Sequence, residues 1–564
     1  MTSQPTRWTL AERLFSLVTR LRPGEGHALL LFCLHAFLLL ASLQIVKALR
    51  EAFMLSKFSA ETRSYAVALM ALTLMLVVPL YAIVRRRLDG AMLLRTVTIF
   101  FVATLPLLAL LGHYGVPIAF VFYIWVGIYG VMVVAQMWSY AADSFNVKTG
   151  QRLFVAIMLG ANLGALAGAK LTNLAVTALS PLGLMVLATC TIAATLFLAG
   201  PERAAVPEGS GPTAVLQRAA PVPRLLGGIG LVLRDRYLLT IAVFVLLLNW
   251  INSTGEFILA DYVKSHTLQT VGTDSDASSR FIAAFYGNFN FWVTLVSLAI
   301  QALLVSRIFR VLGVRGALLV HPIIVAIGYG LLAVGPLLGG FIPIFSLIRR
   351  IKVADNGVDY SLMNTTRQTL FLPVDRDSKY DGKMAIDTFF VRFGDLIQAL
   401  CVFAGLHLLS WQAHQFAALN FLLSLVWIGL AVVMGRAYTR KAVEAMTNTA
   451  PEAVEPIPDL QCAPGQRFSH AVPPSAFRDA DPGDVLVYRA CCDNGRPLPR
   501  WLRFHAWQQT FVGTLPAHVE LLELRVVVIA SDLDGLKASS SFSVRRVSIE
   551  PATTSDLRIQ HEHG

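Results

Sequence analysis

The segment IRRIKVADNGVDY concentrates charge and amide groups within a single helical repeat. At helical spacing Arg349, Lys352 and Asn356 stand at i, i+3 and i+7 and share a face, with Asp355 beside them. A stripe of this kind suits an anion, because a guanidinium grips phosphate oxygens with a two-pronged fork and an ammonium acts as a point charge. The competing reading is internal compensation, with Lys352 held by Asp355 and the arginines by carboxylates elsewhere. The apolar run before it, Phe341–Ile348, is too short to cross a bilayer, which takes roughly 20 helical residues. Either the chain stops there or its charges continue through the membrane.

Two further clusters have similar chemistry. Lys47 and Arg50, again i and i+3, close the first apolar run and precede Glu51. They could hold phosphate oxygens, or snorkel at a membrane edge with Glu51 as a local partner. In LNWINSTGEFI, Glu256 follows Asn249, Asn252 and Ser253 and could form a gate pair with a cation or hydrogen-bond a sugar or base. Arg392 and Asp395, i and i+3, most simply pair with each other. Gly160, Gly164 and Gly168 form GxxxGxxxG, which lets two helices approach closely. Asp532 and Asp534 read as turn residues ahead of a calcium site. The sequence holds no phosphate-binding loop, metal-ligand cluster or nucleophile–base arrangement, so no cofactor and no enzymatic activity is expected. The cysteines lack any paired spacing that would suggest zinc or a disulfide framework.

These residues need a scaffold, and the composition names it. The 564 residues are 55% hydrophobic and 15% charged, with mean hydropathy +0.61. Soluble domains carry about 25% charged residues. The class is a polytopic membrane protein. A net charge of +12 could suggest nucleic acid, but the cations lie between apolar runs, as the positive-inside rule requires, and no nucleic-acid partner is expected.

Six spanning-length runs precede a Pro/Gly/Ser-rich linker and five follow it. Arg7, Arg13, Arg20 and Arg22 before the first run, Arg85–Arg87 after the second, and Arg203, Arg218 and Arg224 in the linker make that side cytoplasmic. The exception is the loop after the first run, where Lys47, Arg50, Lys57 and Arg63 fall on the side that should be poor in cations. The ninth span ends near Leu337 on one side, and the basic segment Arg367–Lys383 belongs on the other. The chain must therefore cross through Gly339–Leu362, which gives about twelve spans in two halves of six, a major-facilitator-like plan with a solute site between the halves. Charges at bilayer depth usually line such a site. Matching positions of Glu51 and Glu256 support a duplication.

Two stretches carry a resemblance. MWSYAADSFNVKTGQRLFVAIMLGANLGA, from Met137, and VADNGVDYSLMNTTRQTLFLPVDRDSKYDGKMAIDTFFVRFGD, from Val353, resemble the ATP/ADP translocase family of bacteria and plastids. The resemblance spans about Gly26 to Arg440. It implies a twelve-helix exchanger of adenine nucleotides, with Arg367, Lys47 and Glu256 at the family's functional positions. Classical members of that family carry a glutamate at the start of the fourth span, whereas FYIWVGIYGVMVVAQ has no acid, which is closer to the free-living bacterial branch. Exchange of nucleotides or a related phosphorylated anion is the expected function. A different anionic or zwitterionic solute, or an assembly protein working through its tail, are the alternatives.

From about Leu460 the pattern changes to short alternating strands, such as GDVLVYRA, LRVVVIASD and SFSVRRVSI, which read as a β-sandwich. The tail resembles dystroglycan-type cadherin-like modules of immunoglobulin fold, with Trp501 as the core tryptophan, and leaves room for a protein partner. The expected organisation is an arm 1–25, a first half 26–199, a linker 200–236, a second half 237–440, a linker 441–459, the module 460–550 and a disordered end 551–564. The expected location is the bacterial inner membrane, in contact with lipid, with both termini cytoplasmic.

Overall fold

The computed structural model describes residues 25–85, 90–145, 147–198, 225–335, 343–374, 381–446, 449–481, 485–517, 523–532 and 535–546. The N-terminal arm, most of the first linker, Gly339, Asp534 and the terminal HEHG lie outside the described residues. A helical unit and a β unit divide the chain near Arg440.

The first half consists of α1 (Gly26–Lys57), α2 (Ala60–Arg85), α3 (Gly90–His113), α4 (Ala119–Ser144), α5 (Val147–Ala175) and α6 (Pro181–Leu196). The second has α7 (Arg236–Val271), α8 (Ser275–Leu303) and α9 (Val305–Ala333). Next, α10 comprises Ile344–Val358, a π-helical turn Asp359–Met363 and Asn364–Thr369; α11 comprises Lys383–Ala385, a second π turn Ile386–Phe390 and Val391–His407. The last, α12, is Ala413–Met446 and runs past Arg440. A short helix, Leu225–Arg234, lies inside the segment read as linker.

Among the described residues ten helices are long and apolar enough to cross a membrane. The other two are α6, which is apolar but short, and α10, whose charged face lowers its hydropathy. The protein is a multi-pass membrane protein of major-facilitator-like plan. Its surface is turned inside out relative to a soluble fold. Leu76 (75%) and Leu80 (61%) are exposed, whereas Lys352 is fully buried. Lipid accepts the former, and the latter requires partners.

Local signals set the helix ends. Asp235 caps α7, its carboxylate accepting from the amides of Tyr237 (2.7 Å) and Leu238 (3.2 Å). Ser180 caps α6, with Pro181 in the first turn. The backbone of α1 at Cys33, Phe37 and Ala41 lies where β-carbons of Gly160, Gly164 and Gly168 would sit, so α1 and α5 approach backbone to backbone. Between the halves, α1 and α5 pack on α8, and α2 packs on α11.

The β unit has a four-stranded sheet ordered β2-β9-β8-β5, a three-stranded sheet ordered β3-β7-β6 and the small pair β1-β4. Its strands are β1 (Glu452–Ala453), β2 (Leu460–Cys462), β3 (Arg467–Ala471), β4 (Phe477–Arg478), β5 (Val487–Cys492), β6 (Leu502–His505), β7 (Thr510–Thr514), β8 (Glu523–Ser531) and β9 (Lys537–Arg546). β1 falls within the segment read as a second linker. In β8 alternate residues Val526, Val528 and Ala530 point into the core. Trp501 is not the core residue expected. Phe511 and Phe542, 5.1 Å apart, occupy the centre, and Trp501 sits half-buried at the edge, 6.4 Å from Phe468. Asp532 accepts from the amide of Leu536 (2.8 Å), which is the turn role expected of it. The six cysteines are all free.

Candidate functional site

The charged stripe of α10 runs along the interior of the helical unit. Helix α10 packs against α7, α8 and α9, and three of its turns meet polar groups on them. The Lys352 ammonium donates to Asp355 Oδ2 (2.7 Å) and to Asn252 Oδ1 (2.6 Å), and it lies 3.4 Å from Glu256 Oε1. Asn356 Nδ2 donates to Glu256 Oε1 (3.0 Å). Arg349 donates to Asn288 Oδ1 on α8 (2.6 Å) and lies over the Phe285 ring. In this conformation Lys352 and Asp355 are thus paired, as the compensation reading expects, while Arg349 is held by a neutral amide.

The helical period divides the polar residues of α7 into two sets. Asn252 and Glu256, i and i+4, face α10. Asn249 and Ser253 are also i and i+4, but they face α11, where both donate to Asp395 Oδ1 (2.8 and 2.6 Å). Asp395 also takes Arg392 at 3.5 Å. The four residues therefore form two clusters where the sequence grouped them as one.

The first half contributes a second chain of charges. Arg63 makes a two-pronged contact with Glu51, Nε to Oε2 at 2.5 Å and Nη2 to Oε1 at 3.3 Å. Arg50 binds the same carboxylate at 2.6 Å and stacks 4.4 Å above the Tyr123 ring. Arg63 also lies 3.7 Å from Glu256 Oε2, which links the two halves. The cations that seemed misplaced after the first span now have an explanation. Helix α1 continues to Lys57 and α2 begins at Ala60, so Lys47, Arg50 and Arg63 belong to helices, and Arg63 is buried at 4% exposure.

Lys47 is half-buried and has no hydrogen bond or ion pair among the described residues, although Arg50 and Glu256 are within electrostatic reach. Tyr360, on the π turn of α10, is 54% exposed, yet it stands within electrostatic reach of Glu256, Lys352 and Arg50. Asn356 Oδ1 and the Tyr286 hydroxyl are buried without a hydrogen-bond partner among the described residues; buried polar atoms rarely lack one. Arg367 is not part of this cluster. It pairs with Asp387 at 2.9 Å, where α10 ends and α11 begins.

Sequence reading missed Arg63, Asn288, His321 and Tyr329 as members of the network. Only Arg63 left a signal, as a cation on the wrong side. His321, from α9, places Nε2 2.8 Å from Asp355 Oδ1, and the Tyr329 hydroxyl lies 3.5 Å from Oδ2. The described residues contain no group of three or more His, Cys, Asp or Glu side chains that could hold a metal.

Residues 217–438 match the TLC ATP/ADP transporter family. The matched stretch begins in the first linker and takes in α7 to α11 and most of α12. The ADP,ATP carrier protein 1 of Chlamydia trachomatis serovar D is 23% identical over 357 residues, which is 56% of this chain and 65% of that protein. The Chlamydia pneumoniae protein of the same name is 23% identical over 190 residues, or 30% of this chain and 36% of that protein. The chain thus spans under two thirds of the length of these relatives. Among solved structures, the nucleoside transporter NupG superposes with TM-score 0.51 at 14% identity, covering 74% of this chain and 99% of that one. The POT family transporter PepTSo gives TM-score 0.51 at 14% identity, covering 74% and 98%. At these identities the likeness concerns the fold alone. Residues 450–547 match a putative Ig domain, and this is the segment that forms the β unit.

Proposed function

We propose that the chain is a secondary transporter of nucleotides, ATP/ADP-like, or of a related phosphorylated anion, working in the bacterial inner membrane by alternating access between its two six-helix halves. The observation that carries this reading is positive charge without a carboxylate partner inside the bundle: Arg349 is held by a neutral amide and Lys47 by nothing among the described residues. In a low-dielectric interior such charge favours an entering anion. Lys47, Arg50, Arg349 and Lys352 supply the groups for phosphate, and Asn252, Asp355 and Asn356 orient Lys352 and Glu256. Arg367 stands at the far end of α10 as a second anion contact on the way in or out. The family match and the carrier relatives support a nucleotide over other anions.

The positive-inside rule puts the N-terminus in the cytoplasm, and twelve spans return the β-module to the same side, where its sheets offer a surface for a protein partner. The test is uptake of labelled nucleotides into proteoliposomes containing the purified full chain. Counterflow that depends on internal nucleotide supports exchange. If no adenine or guanine nucleotide moves, the nucleotide reading fails.

A further inference from the structure

We propose that His321 and Asp355 form a proton-binding site in which a proton on His321 replaces Lys352 as counterion, so that one proton travels with the anion. The inference rests on the transport reading for its consequence, but its geometry stands apart from the phosphate-facing residues.

His321 is 1% exposed, and the ring edge-packs on Trp427 with centroids 5.1 Å apart. Asp355 sits between His321 Nε2 at 2.8 Å and Lys352 Nζ at 2.7 Å. A carboxylate held by a lysine can only accept, so Nε2 carries the imidazole hydrogen and donates it. That leaves Nδ1 as a bare lone pair, and it is buried with no hydrogen-bond partner among the described residues. An unpartnered base deep in a membrane bundle, two bonds from a carboxylate contact, is the part of the site that the phosphate-binding reading does not use.

The charge count explains what a proton there would do. Along the contact chain Arg50, Glu51, Arg63, Glu256, Lys352 and Asp355, three carboxylates face three fixed cations. Other groups bear on His321 as well. Asp359 lies one turn further along α10 and interacts with both His321 and Arg367. Tyr329 comes from α9 itself, and Glu256 of α7 acts through Lys352. Helix α12 contributes the neutral Trp427. A proton joining Nδ1 forms an N–H bond and breaks none in the protein; its source is water on one face of the membrane, and its release is to the other. His321 then neutralises Asp355 by itself. Lys352 is free to turn from Asp355 toward Asn252, Glu256 and an anion. Because the network gains one positive charge, protonation and anion entry each favour the other. Pro322, the next residue, removes a backbone hydrogen bond from α9 at this level, which eases small movements of the ring.

The experiment uses proteoliposomes of the full chain with labelled ADP, an internal pH dye and an imposed pH gradient. In vesicles without internal nucleotide, where no protonated solute leaves in return, one proton per solute makes steady-state accumulation rise about tenfold per unit of gradient, the lumen acidifies as ADP enters, and His321→Gln abolishes both. Wild-type net uptake that ignores the gradient and moves no proton overturns the proposal while leaving the nucleotide reading intact. If no nucleotide moves at all, that reading fails, and nitrogen NMR of histidine-labelled full chain decides the proton site separately. The resonance absent from His321→Gln should gain an Nδ1 proton on acidification; a ring that stays neutral throughout overturns the proposal. Should the variant not reach the membrane, the wild-type gradient measurement decides alone.

Discussion

Arg63 and Glu256 approach to 3.7 Å across the two halves, while the same guanidinium holds Glu51 at 2.5 Å. One glutamate comes from the last two turns of α1 and the other from the middle of α7, and one arginine lies between them. Other polar links between the halves gather at this end. Lys264 donates to the carbonyl of Leu55 (2.6 Å), Gln398 to Ser64 (3.2 Å), and His407 meets Glu61 (2.6 Å). The halves are therefore closed at the end where α1 finishes.

Breaking this contact should loosen that end. Arg63→Ala leaves Glu51 with Arg50 alone and Glu256 with α10 alone. Transport is expected to fall at least about tenfold, which corresponds to roughly 1.4 kcal/mol of lost coupling. Labelling of a cysteine placed at Ser64 by an impermeant thiol reagent should rise. Unchanged labelling would show that Arg63 is not holding the halves together.

Removing one member of the Lys352–Asp355 pair should cost more stability than removing both. Lys352→Met leaves a buried carboxylate facing His321 alone, and losses of about 3–5 kcal/mol are typical of such broken pairs. The double variant Lys352→Met, Asp355→Leu should recover most of that loss in thermal unfolding of the purified protein, yet remain inactive. Equal destabilisation by the single and double variants would contradict the pairing.

Arg349→Ala and Lys47→Ala should weaken nucleotide binding without lowering thermal stability, because neither cation is ion-paired with a carboxylate among the described residues. Each is expected to raise the apparent KM about tenfold if it contacts a phosphate. A loss of stability with unchanged KM would make them structural.

Gly164→Leu should prevent accumulation of the folded protein in the membrane, since the α1 backbone at Phe37 occupies the space a side chain needs. Gly164→Ala should be milder. Immunoblotting of membrane fractions beside a folded reference protein is the check.

In the β unit, burial against Phe542, 4.9 Å away, holds the pKa of His470 below its ordinary value. A lowered histidine pKa means that the folded state binds the proton less well than the unfolded one. Stability is then complete above the unfolded value of about 6.5 and declines as pH falls below it. Protection of the β3 and β7 amides in the full chain, relative to intrinsic exchange at the same pH, should fall on acidification, and His470→Gln should flatten that dependence. Protection that does not change with pH in the wild type would refute it.

By itself the sequence determined the class of the molecule, its division into a helical part and a β part, and the charged face of α10. Those follow from run length, from a period of 3.6 or 2, and from charge at places lipid does not tolerate. Only the tertiary structure decided which charges meet. Helical spacing puts Lys352 beside Asp355, but nothing local brings His321 to the other carboxylate oxygen, Arg63 between two glutamates, or Asn288 to Arg349. The division of Asn249 and Ser253 from Asn252 and Glu256 was latent in the helical period, yet it acquires meaning only once α10 and α11 stand on opposite sides of α7. The core of the β-sandwich shows the same limit: Trp501 has the bulk for a centre, but strand register delivers Phe511 and Phe542 there. Run length and period act along one chain segment, whereas a buried ion pair is selected by desolvation between segments far apart in sequence, and that cost exists only after they have packed.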